Sequence, residues 1–90
     1  MFSIQEIENA SKKLNVKFDT FTLADLVTGT NIELEHGTIN PATNVTNNDL
    51  ITTMKIALAH LYEFPDYYNQ EYGLPAWENY LRSKRTYRLR

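Results

Sequence analysis

The sequence predicts an all-α fold, a compact bundle of four to five short helices around one central helix. Three observations predict it. Apolar residues recur at spacings of three and four along several segments. Capping signals stand just ahead of those segments. The best candidate for a strand, residues 18–21, is too short to build a sheet.

The central helix is expected over residues 48–63. Ile51, Met54, Ala57, Leu58 and Leu61 form one stripe of a 3.6-residue period, and no Gly or Pro interrupts it before Pro65. Ile56, Ala59 and Tyr62 widen its apolar surface, as expected for a helix packed on several sides. Its start is marked either by Thr46 with Asp49 at capping-box spacing or by Asp49 itself as the cap.

The first helix opens on a capping box, Ser3 with Glu6. Ile4, Ile7, Ala10 and Leu14 carry its stripe, and it should stop near Asn15. Phe18 and Phe21, in the following connection, are expected to reach the core. Thr22 and Asp25 repeat the capping-box spacing ahead of Leu23, Leu26 and Val27. Helix is expected on both sides of Gly29, with a break allowed there, and Gly37 should close the segment. Residues 38–48 are a polar loop of turn formers. Residues 65–72 read as a two-turn helix ended by Gly73. A last helix follows from Pro75 through Trp77, Tyr80 and Leu81.

Bulk properties exclude several classes. Ninety residues make one domain, expected at residues 1–81, with a basic C-terminal tail at 82–90. Cysteine is absent, which removes disulfides and thiolate metal sites. No apolar run reaches the roughly 20 residues that span a membrane, and the start of the chain does not read as a signal peptide. A cytoplasmic setting is expected, with no membrane partner. Net charge is −2, but it is divided. Residues 1–81 carry four basic and eleven acidic side chains. Residues 82–90 carry five basic and none acidic.

Two histidines are the candidate site. Glu33 precedes His36 by three residues, and Glu63 follows His60 by three. Such pairs share a helix face. Glu and His at this spacing also serve carboxylate-rich metal bundles, so Glu33, His36, His60 and Glu63 are candidate ligands for a divalent metal, with Glu35 or Asp66 spare. A structural hydrogen-bond cluster that ties two helices together outweighs that reading. No catalytic residue is assigned, because no nucleophile or phosphate-binding loop accompanies the histidines. No cofactor is expected beyond such a metal.

Aromatic residues crowd residues 62–80. Most are expected to fill the core, against an alternative in which several face outward as a binding patch. The candidate contact residues are Tyr67, Tyr68, Arg82, Lys84, Arg85 and Arg88. Another protein is the expected partner. Single-stranded nucleic acid on residues 82–90 is the alternative.

Two blocks carry a resemblance. One is Glu33-Leu34-Glu35-His36-Gly37 followed by Pro41, Thr43-Asn44-Val45-Thr46 and Asp49. The other is Lys55-Ile56-Ala57-Leu58-Ala59-His60-Leu61 with Glu63-Phe64-Pro65-Asp66-Tyr67-Tyr68. Together they resemble a family of small uncharacterised proteins of bacteria and their phages, classed as a domain of unknown function. The likeness spans roughly residues 20–70. It departs at Leu50, where relatives are expected to carry proline, and in the basic C-terminus. The resemblance implies a bacterial or phage setting, in the host cell or the virion. It implies that the two histidine blocks meet in space, and it supplies no activity. The function expected is non-enzymatic binding of another macromolecule. The alternatives are a metal-binding protein or metal-dependent enzyme using the His/Glu cluster, and nucleic-acid binding through the basic tail.

Overall fold

The computed structural model describes the backbone of residues 1–88 and the side chains of residues 1–84. Four α-helices follow in order: α1 (Ile4–Lys13), α2 (Leu23–Thr38), α3 (Leu50–Glu63) and α4 (Leu74–Arg88), with a 3-10 turn at Pro41–Thr43 between α2 and α3. No strand occurs among the described residues. The all-α bundle expected from the periodicity is the fold.

The helix starts follow their caps. Ser3 and Glu6 form a reciprocal box, and so do Thr22 and Asp25. Asp49 alone caps α3, accepting from the Thr52 backbone N–H at 2.9 Å. Thr46 instead lies buried and holds the loop, its hydroxyl accepting from the Asn48 N–H. Helix α1 ends at Lys13 with Leu14 as its cap, and Asn15 just beyond it takes the left-handed region, φ 55°. The Val16 N–H bonds back to the Ser11 carbonyl and the Asn15 N–H to that of Lys12, the paired pattern that closes a helix on a left-handed residue.

Protonation of these caps shapes the acid limb of stability. Backbone N–H donation lowers the Glu6 and Asp49 carboxyls below their ordinary values. A carboxyl lowered by folding contributes stability that is present above its unfolded value and lost as pH falls through the folded one. Urea unfolding should therefore show stability falling as pH drops below about 4.5. Asp49→Asn keeps a good cap without a titrating group. It should flatten part of that decline, and an unchanged acid limb would remove Asp49 from its cause.

Helix α2 runs unbroken through Gly29 and through Gly37 to Thr38. Neither glycine takes a positive φ, so neither breaks or closes the helix. Helices α1, α2 and α3 pack around Ile7, Ala10, Leu26, Met54, Ala57, Leu58 and Leu61, with Phe21 and Tyr68 closing the core. The N-terminus is tied to α2 by Asn31, whose side chain accepts from the Phe2 N–H at 2.8 Å and donates to the Phe2 carbonyl at 3.1 Å. Phe18, expected inside, stands 41% exposed, its ring edge-on to that of Phe21 with centroids 5.8 Å apart. Helix α3 is less surrounded than its composition suggested, since Ala59 and Tyr62 face outward.

Two features of the C-terminal third correct the sequence reading. Residues 64–73 are successive turns, not a helix. The Asn69 side chain accepts from the backbone N–H groups of Glu71 and Tyr72, offering those groups an alternative to helical bonds. Gly73 then passes so close to the Tyr67 and Asn69 backbones that a Cβ would sit 2.5–2.7 Å from them. The second correction is α4, which continues well past Leu81. It meets the body through half-buried Leu74, Pro75, Ala76 and Glu78, and every described side chain from Asn79 to Lys84 is exposed. The radius of gyration is 14.2 Å, against about 12 Å for a compact chain of this length. The projecting helix accounts for the difference.

Candidate functional site

The two histidine blocks meet. Helix α2 brings Glu33 and His36 to one face, as their three-residue spacing requires. Helix α3 brings His60 opposite them, and the turn after Pro65 delivers Tyr68 between the two helices. The Tyr68 hydroxyl donates to Glu33 Oε2 at 2.6 Å. His60 Nδ1 lies 2.9 Å from the same hydroxyl and 3.3 Å from Glu33 Oε2. The phenol has one proton and gives it to Glu33, so its oxygen accepts, and His60 Nδ1 carries the hydrogen in this arrangement. The His60 ring stacks on Tyr67, centroids 4.1 Å apart and planes 5° from parallel.

His36 extends the network to the last helix. Its Nε2 lies 2.9 Å from Glu78 Oε2, and its Nδ1 is 3.6 Å from Glu33 Oε1. The chain of contacts thus runs from His60 through Tyr68 and Glu33 to His36 and Glu78, linking α2, α3, the turn and α4. Glu78 escaped the sequence reading because it stands on another helix and no local spacing relates it to His36. Tyr68 belongs to the aromatic run expected mainly to fill the core, with outward contact as the alternative, and nothing in its spacing relates it to Glu33. The signal for its place in the core was Gly29, an unforced glycine in a helix interior.

The remaining candidates lie elsewhere. Glu63 is exposed and pairs with neither imidazole. Glu35 is exposed, and Asp66 accepts from the Tyr72 hydroxyl at 2.9 Å. Among the described residues, no group of three or more His, Asp or Glu side chains is arranged to hold a metal ion. Thermal melts with and without EDTA separate the two readings: superimposed curves are expected for the hydrogen-bond cluster, and a lower melting temperature in EDTA for the metal site.

The chemistry of the network is proton retention. Burial first, and then the bond to Glu33, push the Tyr68 phenol far above its ordinary value. Burial also raises Tyr67, with the charges of Glu33, Glu78 and Glu63 adding to it. Both stay protonated at neutral pH, so neither serves as a base or an anionic nucleophile there. What the arrangement does is fasten three helices and a turn at one point.

The outward face differs in character. Of the two tyrosines considered for contact, Tyr68 is buried and Tyr67 is half-buried. The other aromatics, expected mainly inside, are open: Phe64 57%, Tyr72 66%, Trp77 61% and Tyr80 57% exposed. They did not reach the core because the turns bring Tyr68 into it and Tyr67 against it, while α4 leads away. Phe64, Tyr67, Tyr72, Leu74 and Trp77 line a groove of ≈ 470 Å³. Trp77, Tyr80 and Leu81 carry that apolar surface along α4 at helical spacing, with the Lys84 ammonium 5.5 Å from the Tyr80 ring centroid. Arg82 donates to Asn79 at 2.8 Å. The side chains of Arg85 and Arg88 lie outside the described ones.

No curated protein and no solved structure matches the chain. The sequence profile of a family described as "Protein of unknown function (DUF5661)" matches residues 7–74. That span holds both histidine blocks and the whole network except Glu78, and it ends where α4 begins. The chain therefore belongs to the family of proteins of unknown function DUF5661.

Proposed function

We propose that the protein is a small non-enzymatic binding module, encoded in a bacterial or phage setting, that docks another protein on its C-terminal aromatic surface. The observation that carries this is the exposure of Trp77, Tyr80 and Leu81 on a helix that stands off the body, continuous with the Phe64–Tyr72 groove. Tyr and Trp are enriched where proteins meet, because one side chain buries a large area and still offers a polar tip. A contiguous exposed apolar patch is otherwise a liability in a small protein. The histidine network supports the reading in a second way. It anchors the base of α4 through His36 and Glu78, so the docking face is presented from a fixed root. The cytoplasm of a bacterial host is the compartment this reading uses, with the virion as the other setting.

The test is a photo-crosslinking amino acid placed at Tyr80, with capture from cells of a bacterial host. A discrete protein adduct that disappears in Trp77→Ser is expected. Val45→Ser, at another exposed apolar residue away from this surface, should leave it intact. Capture that ignores Trp77 would overturn the proposal. Capture of nucleic acid in place of protein would return the basic segment 82–90 to first place.

A further inference from the structure

We infer that the groove at the root of α4 receives the arginine side chain of a basic segment on the partner protein. The inference rests on the binding reading above and gives that partner its chemistry. It follows from aromatic rings and carboxylates gathered in one place.

Phe64, Tyr67, Tyr72 and Trp77 line the groove together with Asp66, Gly73 and Leu74. No described lysine or arginine lines it. The face of an aromatic ring is electronegative and attracts a cation, most strongly at tryptophan. The Tyr72 hydroxyl donates to Asp66 Oδ2 at 2.9 Å and fixes that carboxylate at the groove. Residues 62–81 carry four acidic side chains, Glu63, Asp66, Glu71 and Glu78, and no basic one. Two of the groove phenols register this field. Tyr67 is raised by burial first, with the charges of Glu33, Glu78 and Glu63 adding to it. Tyr72 is raised first by its bond to Asp66, with the charges of Asp66 and Glu71 adding to it. A concave site lined by one sign of charge focuses its field on an incoming ligand of the other sign.

The described cations of α4 are placed elsewhere. Arg82 donates to Asn79 and lines a separate cleft with Glu35, His36 and Glu78. The Lys84 ammonium lies against the Tyr80 ring. The positive end of α4 does little to offset the carboxylates. The Gly73 and Leu74 N–H groups donate to the Asn69 and Tyr67 carbonyls at 2.8 and 2.7 Å, and Pro75 has no N–H. Among cations, a guanidinium suits the groove better than an ammonium. It is planar, stacks on an aromatic face, gives up water more readily and forks onto a carboxylate. Seated here, its plane lies on a groove ring and its fork meets Asp66.

The test is a nuclear magnetic resonance titration of the isotope-labelled full chain with capped peptides Gly-Ala-Xaa-Ala-Gly. The central residue is arginine, lysine, leucine or citrulline, the neutral counterpart of arginine. The arginine peptide should shift the amides of residues 64–77 and bind about tenfold more tightly than the citrulline peptide. Asp66→Asn keeps an acceptor for Tyr72 and removes the charge. Trp77→Leu keeps an apolar side chain and removes the aromatic face. Each should weaken the arginine peptide by about three- to tenfold. Circular dichroism should stay that of the parent, because both residues are exposed. A lysine, leucine or citrulline peptide that matches arginine would overturn the inference, as would no shift at the groove with any peptide. Groove amides that shift with protein concentration alone would give the groove to a second copy of the chain and overturn it too. Each of these results leaves the binding proposal to stand or fall on Trp77-dependent capture.

Discussion

Gly29→Ala is expected to lower stability by about 2 kcal/mol, against the usual rule for a glycine inside a helix. Alanine in a helix interior is favoured over glycine by about 1 kcal/mol. Here the added Cβ would stand 2.5 and 2.6 Å from two ring carbons of Tyr68, where carbon contacts optimise near 3.5–4.0 Å. The ring has little room to yield. Tyr68 is buried, and its hydroxyl is held by Glu33 and His60. Overpacking a core costs about 1–3 kcal/mol, and a ring fixed at both ends puts this site at or above the top of that range. The cost therefore exceeds the propensity gain. Melting by circular dichroism should show a loss of about 8–16 °C for a domain of this size. In a Tyr68→Ala background the sign should reverse, because the obstacle is gone and the propensity gain remains. A Gly29→Ala variant that melts at or above the parent temperature would show that Tyr68 does not rest on α2.

Tyr68→Phe should cost about 2 kcal/mol at neutral pH while leaving the packing in place. The lost hydroxyl donates to a carboxylate, and a hydrogen bond to a charged group contributes roughly 1.5–3 kcal/mol. Glu33, with its side chain 10% exposed, would lose its shortest partner. The alkaline limb adds a second readout. Folding raises the Tyr68 phenol far above its ordinary value of 10.0. A raised value contributes stability that is complete below the unfolded pKa and is lost as pH climbs above it. Past about pH 10 the unfolded chain releases its proton first, so the native state binds more protons and stability falls with pH. Tyr67 and Tyr72 act in the same direction, the former through burial and the latter through its bond to Asp66. Tyr68→Phe should therefore leave a shallower alkaline decline. Denaturant unfolding between pH 8 and 11 measures it, and an unchanged slope would contradict the buried phenol.

These two substitutions touch the part of the molecule that the sequence half disclosed. Spacing alone put Glu33 beside His36, and the resemblance implied that the two histidine blocks meet. Glu33 now stands within reach of both imidazoles. Glu63 was paired with His60 by the same spacing argument, and it faces away. An i,i+3 relation makes a meeting possible without requiring it. His60 turns its Nδ1 to the Tyr68 hydroxyl instead. Gly29 shows the converse. As a helix breaker it misleads, since α2 continues through it, and its reason appears only with the Tyr68 ring on top of it.

What the sequence by itself determined is local. The capping boxes at Ser3–Glu6 and Thr22–Asp25, the Asp49 cap and the apolar stripes act within one turn of helix. They specify where α1, α2 and α3 start and which faces turn inward. The tertiary structure decided how distant pieces meet: Tyr68 against Gly29, Glu78 against His36, and α4 leading its aromatic face away from the core. Those outcomes depend on the direction in which the turns after Pro65 release the chain. That direction is settled by a few Asn69 and Gly73 backbone contacts, and residue spacing carries no record of them.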